Sequence, residues 1–255
     1  MKSGALGLAA LILAAAPAAA APQLGSRPTA AAAALAPGET TLANGAVAYR
    51  PASLPPGPAA LVILLHGAGG YPLDFLEQMK PVADQRGLML LFPHSRGRTW
   101  DLIQNLAAER DPWRGGLDAL RLDQSLGDLF ARAVVDPKRI ALLGFSDGAS
   151  YGLSLGTANP QLFSAVVGLS PGMFVPPDSI DRKQRVFIAH GRGDHVLAFQ
   201  NTSETIVRQL RAGGANLVFR PFAGDHQIDV KVLMEALDFA LGLQAPTPAP
   251  TSIPK

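Results

Sequence analysis

The 255-residue chain has no cysteine and few charged residues, 16% of the total. The absence of thiols excludes a disulfide framework, a thiolate metal site and a cysteine nucleophile, so a nucleophile has to be an oxygen or a lysine nitrogen. The 22 basic and 20 acidic residues nearly balance, and the basic ones are scattered singly, which provides no surface for nucleic acid. Apolar residues make up 48% of the chain, enough for one large core.

The first residues have the composition of a secretory signal peptide. Lys2 precedes an apolar stretch over 5–16 that is too short to span a bilayer, and small residues follow over 18–21. We therefore expect residues 1–21 to be a bacterial signal peptide, and the mature protein to be periplasmic or secreted with no stable membrane anchor. An uncleaved N-terminal anchor is the alternative interpretation.

The regions flanking the middle of the chain differ from it in composition. Residues 22–39 are rich in Ala and Pro, and residues 244–255 are rich in Pro, which is typical of loose tails. Residues 40–243 contain no internal repeat and no linker. The sequence therefore predicts one domain over 40–243, between two tails.

Within this domain, short unalternating apolar runs take turns with longer segments whose apolar residues recur every three or four positions. The short runs are typical of parallel strands buried on both faces, and they cover 61–65, 88–92, 140–145, 165–169, 186–189 and 217–222. The helices include 117–133, 148–158, 201–212 and 228–243, and Asn201 with Glu204 has the spacing of a capping box. Asn44-Gly45 indicates an opening antiparallel hairpin. The pattern predicts an α/β fold with a mostly parallel central sheet and helices on both faces.

The pattern Gly-x-Ser-x-Gly occurs three times. It can expose a serine on a sharp strand-to-helix turn, with the next amide free to donate to an oxyanion. Ser170 precedes a proline, which has no amide hydrogen, and Ser154 lies inside a predicted helix. Ser146, in the motif Gly144-Phe145-Ser146-Asp147-Gly148, ends a predicted strand and opens a helix. We therefore predict Ser146 as a nucleophile, with a helix-capping serine as the structural alternative.

A serine nucleophile needs a base, and a third group must hold that base in the correct tautomer. Of the five histidines, His226 lies between the last predicted strand and the last helix, where the base of such a layout belongs. Asp194 follows the predicted strand over 186–189, and we predict it as the acid; His195 directly follows it and is a poorer base. The weaker candidates for the acid precede that strand or adjoin His226: Asp178, Asp181 and Asp225.

The loop after the predicted strand over 61–65 reads His66-Gly67-Ala68-Gly69-Gly70. It resembles the HGGG-type loop that supplies an oxyanion amide. We predict the amide of Ala68 as one donor, with Gly69 as the alternative, and the amide of Asp147 as the other. No Gly-Lys-Ser/Thr follows these glycines, which argues against a phosphate-binding loop.

Together these motifs, with His190-Gly191 before Asp194 and Gly224 before His226, resemble the phospholipase/carboxylesterase branch of the α/β-hydrolases. The resemblance covers about residues 58–243 and lies near the polyhydroxyalkanoate depolymerase-like and feruloyl esterases. It implies a Ser146, Asp194 and His226 triad that acts on carboxylic esters without a cofactor. Acyl-protein thioesterases of that branch commonly have Gln where this chain has Asp147, and they are cytosolic, so we do not expect thioesterase action.

Only sixteen residues, 170–185, separate two predicted strands, which leaves no room for a large lid. We expect an open pocket lined by this segment and by the loop beyond the acid: Met173, Phe174, Val175, Leu197 and Phe199. Trp100 and Trp113 either form a pocket wall or anchor their segment to the core. The arginines of the same segment, Arg96, Arg98, Arg110 and Arg114, either meet an acidic substrate or form a solvated face.

The sequence thus predicts an exported, lidless serine esterase acting on small-molecule or polymeric esters. A polyester depolymerase or feruloyl esterase falls within the same class, and a non-catalytic ligand-binding protein on a hydrolase scaffold is the alternative from another class. We predict no cofactor and no metal, because the residues with the composition of metal ligands already have triad roles or adjoin them: Asp194, His195, Asp225 and His226.

Overall fold

The computed structural model describes residues 20–29, 35–69 and 73–243. Residues 1–19 of the predicted signal peptide, which was placed over 1–21, and the predicted tail over 244–255 lie outside the described residues. Among the helices of the described part, none combines the length and the hydropathy required for a membrane span.

The described residues form one eight-stranded sheet with six α-helices. The strands are β1 Gly38–Thr41, β2 Val47–Arg50, β3 Ala59–Leu65, β4 Leu88–Phe92, β5 Val135–Phe145, β6 Ala165–Leu169, β7 Arg185–Gly191 and β8 Asn216–Phe222. The helices are α1 Leu73–Arg86, α2 Asp101–Ala107, α3 Leu117–Arg132, α4 Asp147–Ala158, α5 Ser203–Ala212 and α6 Val230–Leu241. The strand order is β1-β2-β4-β3-β5-β6-β7-β8. Strands β1 and β2 form an antiparallel hairpin, β2 pairs antiparallel with β4, and every other pairing is parallel.

The central strands are buried on both faces, as their unalternating apolar sequences predict. In β3, Leu61, Ile63 and Leu65 belong to a core cluster that includes residues of α3 and α4. The intervening residues of β3 belong to a second cluster on the opposite face, with residues of α1 and α6. A third cluster joins β7 to α5. The mostly parallel sheet with helices on both faces is therefore confirmed.

Two helices were not predicted, and one predicted cap is wrong. Helix α1 contains Pro81 and buries few residues, and α2 has only seven residues, too few to show a periodicity. Helix α5 begins at Ser203 with Thr202 as its N-cap, and no side-chain hydrogen bond forms there. The predicted capping box of Asn201 and Glu204 is therefore absent. Asp229 caps α6 by accepting from the amide of Val232.

The predicted loose tail over 22–39 is wrong for residues 22–29, which lie against the domain. The side chain of Leu24 is 3% exposed and joins the core cluster on the α3 and α4 face. The amide of Leu24 donates to Asn159 Oδ1 at 2.8 Å, and that of Ser26 donates to Asp123 Oδ1 at 2.8 Å. The Ala/Pro composition concealed this contact, because the segment is held by one buried leucine and by hydrogen bonds that involve largely its backbone, which composition does not describe.

Candidate active site

Ser146 lies at the sharp turn that joins β5 to α4. Its backbone has φ +56° and ψ −119°, a conformation that costs energy in a non-glycine residue. Glycines at 144 and 148 make the turn possible. A Cβ on Gly144 would lie 2.1 Å from the carbonyl oxygen of Gly148, and one on Gly148 would lie 2.3 Å from that of Leu65. The strand-turn-helix geometry predicted for Ser146 is therefore present.

The structure brings Ser146, His226 and Asp194 into one hydrogen-bonded series. Nε2 of His226 lies 2.9 Å from Oγ of Ser146, and Nδ1 of His226 lies 2.7 Å from Oδ2 of Asp194. Asp194 follows β7 and His226 follows β8, so parallel pairing places both loops at the sheet edge where β5 ends. The imidazole also packs against the ring of Phe145, with centroids 4.9 Å apart.

The carboxylate of Asp194 accepts hydrogen bonds at both oxygens. Oδ1 accepts from the amides of Val196 and Leu197 at 2.9 and 2.7 Å, and Oδ2 faces His226. Burial pulls the pKa of Asp194 upward. The Leu197 amide and His226 outweigh it, so that the pKa lies below its usual range and the charged form is favoured.

The rival acids and the rival base lie elsewhere. Asp225 is exposed, and its Oδ1 accepts from the amides of His195 and His226 at 3.0 and 2.8 Å, so it braces the loop rather than the imidazole. These amides lower the pKa of Asp225. Asp178 lies beside a cavity at the far end of α4, and His195 is exposed.

His190 is a contact that the sequence interpretation missed. Its buried ring places Nε2 at 3.0 Å from Oδ2 of Asp194, so that this oxygen faces two imidazoles. In the sequence, His190-Gly191 was informative only as part of a family motif. The spacing of four residues across a glycine turn was the available signal, but it does not by itself specify a side-chain contact.

The loop after β3 lies beside Ser146. A Cβ on Gly67 would be 3.3 Å from Cβ of Ser146. The amide of Gly69, the alternative oxyanion donor, donates to the carbonyl of Arg98 at 2.8 Å and therefore already has an acceptor. For the amides of Ala68 and Asp147, no acceptor lies among the described residues. Within this part of the chain, these two amides are therefore free to donate to an oxyanion, and their assignment as the oxyanion donors stays a prediction.

Two further contacts hold this side of the site. Oγ1 of Thr99 donates to Oδ2 of Asp147 at 2.5 Å. His66 accepts from the amide of Ser95 at Nε2 and faces the carbonyl of Gly67 with Nδ1 at 2.7 Å, which indicates a proton on Nδ1. Burial lowers the pKa of His66, so its neutral form is favoured.

The other two serine motifs do not form such a turn next to a base. Ser154 lies within α4 and donates to the carbonyl of Ser150 at 2.8 Å. Ser170 precedes Pro171 and is buried with φ +52°, and its Oγ has no partner among the described residues.

Trp100 does not form a pocket wall. Its side chain is fully buried, its Nε1 donates to the carbonyl of His66 at 2.9 Å, and its ring stacks between His66 and Tyr151. The core-anchor alternative is therefore correct for Trp100. Phe199 is also buried and packs against His190, so it is not exposed to a substrate.

Partly exposed apolar residues remain near the site: Met173, Phe174 and Leu197. A Cβ on Gly172 would lie 3.1 Å from Leu197 Cδ1, so the segment after β6 contacts the loop beyond Asp194. This segment is short and tied to α4, because Oγ of Ser150 accepts from the amides of Gly172 and Met173. It forms no large lid.

Trp113 and Val175 instead line a cavity of about 610 Å³ near the C-terminal end of α4, whereas Ser146 precedes its N-terminal end. Thr157 and Gln161 also line this cavity. In the described ranges, no three His, Asp or Glu side chains are grouped to hold a metal ion. The four arginines of the segment before α3 are exposed: Arg96, Arg98, Arg110 and Arg114.

The mostly parallel sheet and the serine at the β5–α4 turn define the class of this structure: the chain has an α/β-hydrolase-type fold. The family model for phospholipases and carboxylesterases matches residues 118–241. This range contains Ser146, Asp194 and His226.

Comparisons with individual proteins give the same class. The chain is 27% identical over 208 residues to NocK of Nocardia uniformis subsp. tsuyamanensis, a protein named as an esterase, covering 70% of this chain and 60% of NocK. It is 27% identical over 123 residues to an acetylxylan esterase of Coprinopsis cinerea, covering 46% of this chain and 32% of that protein. The crystal structure of esterase PE8 shares the fold, with a TM-score of 0.59, 24% identity and coverage of 75% and 95%. The chain thus spans less than two thirds of the length of the two curated relatives.

Proposed function

We propose that the protein is a serine hydrolase that cleaves carboxylic esters through an acyl-enzyme on Ser146. The observation that carries this proposal is the hydrogen-bonded series from Oγ of Ser146 through His226 to Asp194, at 2.9 and 2.7 Å, on a strained turn. A hydroxyl held in this way is activated when it attacks a carbonyl, because the adjacent imidazole accepts its proton.

In the acylation step, Oγ of Ser146 attacks the ester carbonyl while Nε2 of His226 takes the hydroxyl proton. The negative charge then develops on the former carbonyl oxygen, where the amides of Ala68 and Asp147 donate hydrogen bonds. Asp194 accepts from Nδ1 of His226, which keeps Nε2 free of its proton before the attack and stabilises the imidazolium afterwards. The protonated His226 gives the proton to the departing alcohol.

Deacylation repeats these steps with water as the nucleophile. His226 removes a proton from water, which attacks the acyl carbon, and Ser146 leaves with that proton restored to its Oγ. The acid product is released. All of these roles are assigned to side chains and amides of this chain, with no cofactor.

The proposed substrate class rests on the residues around Ser146, which is itself 8% exposed. The segment after β6 is bound to α4 by amide hydrogen bonds to Ser150 and Ser154, so this segment forms no bulky cover over the site. The nearby apolar side chains, Met173, Phe174 and Leu197, offer a shallow acyl site. We therefore propose small esters, or ester groups exposed on a polymer, as substrates, in keeping with the esterase names of the relatives.

Labelling with a fluorophosphonate probe tests the proposal. We expect one labelled residue, Ser146, with loss of label in Ser146→Ala and unchanged labelling in Ser170→Ala and Ser154→Ala. Absence of label in the folded wild-type protein would indicate a non-catalytic binding protein instead. A hydrolysis screen across p-nitrophenyl esters of increasing acyl length then defines the acyl preference.

We also propose that the protein acts outside the cytoplasm, on the composition of residues 1–21. Expression of the full chain in a bacterial host, followed by separation of periplasm, medium and cytoplasm, tests this. A chain lacking residues 2–21 should stay in the cytoplasm. Retention of the full chain in the cytoplasm or the membrane would contradict export as a released protein.

A further inference from the structure

His190 has a complete set of hydrogen-bond partners although its ring is fully buried. Its Nε2 lies 2.9 Å from the carbonyl oxygen of Leu197 and 3.0 Å from Oδ2 of Asp194, and its Nδ1 lies 2.5 Å from Oγ of Ser203. Both partners of Nε2 are acceptors, because a carbonyl and a carboxylate carry no hydrogen. The network therefore assigns the proton to Nε2, and Nδ1 accepts from the hydroxyl of Ser203.

The surroundings of this ring oppose a second proton. Burial lowers the pKa of His190, although Asp194 acts in the opposite direction. His226 is the other titratable group facing it, and it also disfavours a positive charge on His190. The ring of Phe199 packs edge-on against that of His190, with their centroids 5.7 Å apart. The guanidinium of Arg192 lies over the ring of Phe199, 5.2 Å from its centroid. His190 is therefore a neutral hydrogen-bond donor to Asp194.

We propose that His190, held in one tautomer by Ser203, is a positioning residue that orients the carboxylate of Asp194 and moderates the basicity of His226. The proposal rests on the proposed function, because His226 must be the base for its basicity to matter. Oδ2 of Asp194 divides its negative charge between two imidazole N–H groups, one from each histidine. Loss of the His190 donor leaves more of that charge on His226, which stabilises its protonated form.

This role predicts that loss of His190 shifts the pH profile of the rate in one direction, which loss of a merely structural residue would not do. In His190→Leu, the acid limb of the kcat/KM profile should move to higher pH by up to about one unit, because His226 must be neutral to act. The plateau kcat should fall about tenfold with KM unchanged, since the two backbone amides still hold Oδ1 of Asp194.

His190→Gln is the conservative variant, because its amide nitrogen can occupy the position of Nε2 and donate to Asp194. It should return the acid limb to within a few tenths of a unit of the wild type. Ser154→Ala is the control, since Ser154 is likewise a fully buried polar residue but contacts neither histidine. Its acid limb should be that of the wild type.

Rates of p-nitrophenyl acetate hydrolysis from pH 5 to 9, with thermal melts, provide these measurements. Long-range ¹H–¹⁵N spectra of histidine-labelled wild-type protein add a reading that needs no variant and no turnover. They should show His190 neutral with its proton on Nε2 throughout the acid limb. A proton on Nδ1, a charged ring, or an unmoved limb in folded His190→Leu would overturn the proposal, as would a His190→Gln limb displaced as far as that of His190→Leu.

Fluorophosphonate labelling of the wild-type protein, measured alongside, keeps the two proposals separate. If the wild-type protein is labelled at Ser146 but His190→Leu does not shift the acid limb of the kcat/KM profile, only the positioning role is contradicted. A protein that does not label contradicts the proposed function, whatever the tautomer of His190.

Discussion

The two sides of the site around Ser146 are held in different ways. On the acid-base side, Asp194 is buried and accepts from two amides and two imidazoles, all from β7, β8 and the loops that follow them. On the oxyanion side, Ala68 is exposed, and the supporting bonds come from Arg98 and Thr99 in a separate segment.

This difference indicates how the two sides respond to substitution. A carboxylate with four donors has one geometry, so a change at the imidazole or the carboxylate removes a whole chemical role. The oxyanion amides belong to the backbone, and a substitution reaches them only through neighbouring residues. We therefore expect large rate effects on the first side and smaller ones on the second.

Ser146→Ala should give the largest effect, because it removes the proposed nucleophile, which both sides of the site contact. We expect kcat to fall by about 10⁶. Rates of p-nitrophenyl ester hydrolysis on protein purified away from host esterases measure this. Ser170→Ala, which removes a buried hydroxyl one strand away, is the control and should retain wild-type kcat; an equal loss there would contradict the choice of Ser146.

Asp194→Asn tests the acid-base side directly. We expect kcat to fall by about 10⁴ with the fold intact, because an amide that donates to His226 favours the wrong tautomer at Nε2. His195→Ala is the matched control, since His195 is the neighbouring exposed histidine. Near-wild-type kcat in folded Asp194→Asn would mean that another acid orients His226, and Asp225→Asn would be measured next.

Much of this side was predictable, because parallel strands bring their carboxyl ends to one edge of a sheet. Ser146, Asp194 and His226 each follow a predicted strand, so their proximity followed from topology. The apolar run before His226 is interrupted by Arg220, and β8 is only partly buried, unlike the strands before Ser146 and Asp194. The second imidazole on Asp194 was not predictable. It depends on the rotamer of His190 and on Ser203, thirteen residues away on a different element.

The oxyanion side was less accessible to sequence reasoning. Thr99 and Asp147 are 48 residues apart, and no local pattern relates a threonine in a turn to a carboxylate at a helix start. Trp100 was ambiguous for a similar reason, since only the stack with His66 and Tyr151 decides between core and pocket. The packing of Leu24 was missed because composition describes a segment as a whole and not the contacts of its individual residues.

Thr99→Val tests the oxyanion side with a smaller expected effect. The substitution keeps the shape of the side chain but removes the hydroxyl that donates to Asp147. We expect kcat to fall about tenfold with KM little changed, because the amide of Asp147 loses part of its fixed orientation. Thr99→Ser keeps the hydroxyl and should therefore have the kcat of the wild type. A loss of the size seen in Asp194→Asn would contradict the distinction between the two sides.

The smallest effect concerns stability against pH, and it compares a buried histidine from each side. Burial lowers the pKa of His66 and of His190. A histidine whose pKa is lowered by folding stays neutral in the native state while the unfolded chain binds a proton below about pH 6.5. Its contribution is therefore complete above that pH and is lost as the pH falls toward the native pKa, by at most about 1.4 kcal/mol per pH unit.

Asp194 has a lowered pKa as well, but a carboxylate loses its contribution only below about pH 4, outside this window. Urea unfolding at pH 7.5, 6.5 and 5.5 should thus show that the free energy of unfolding becomes smaller as the pH falls. The decrease should be shallower in His190→Gln and in His66→Asn. His195→Ala, which changes an exposed ring, should keep the wild-type slope. If only His190→Gln flattens the slope, then of these two imidazoles only that of His190 couples protonation to folding, and His66 must take up its proton in the native state.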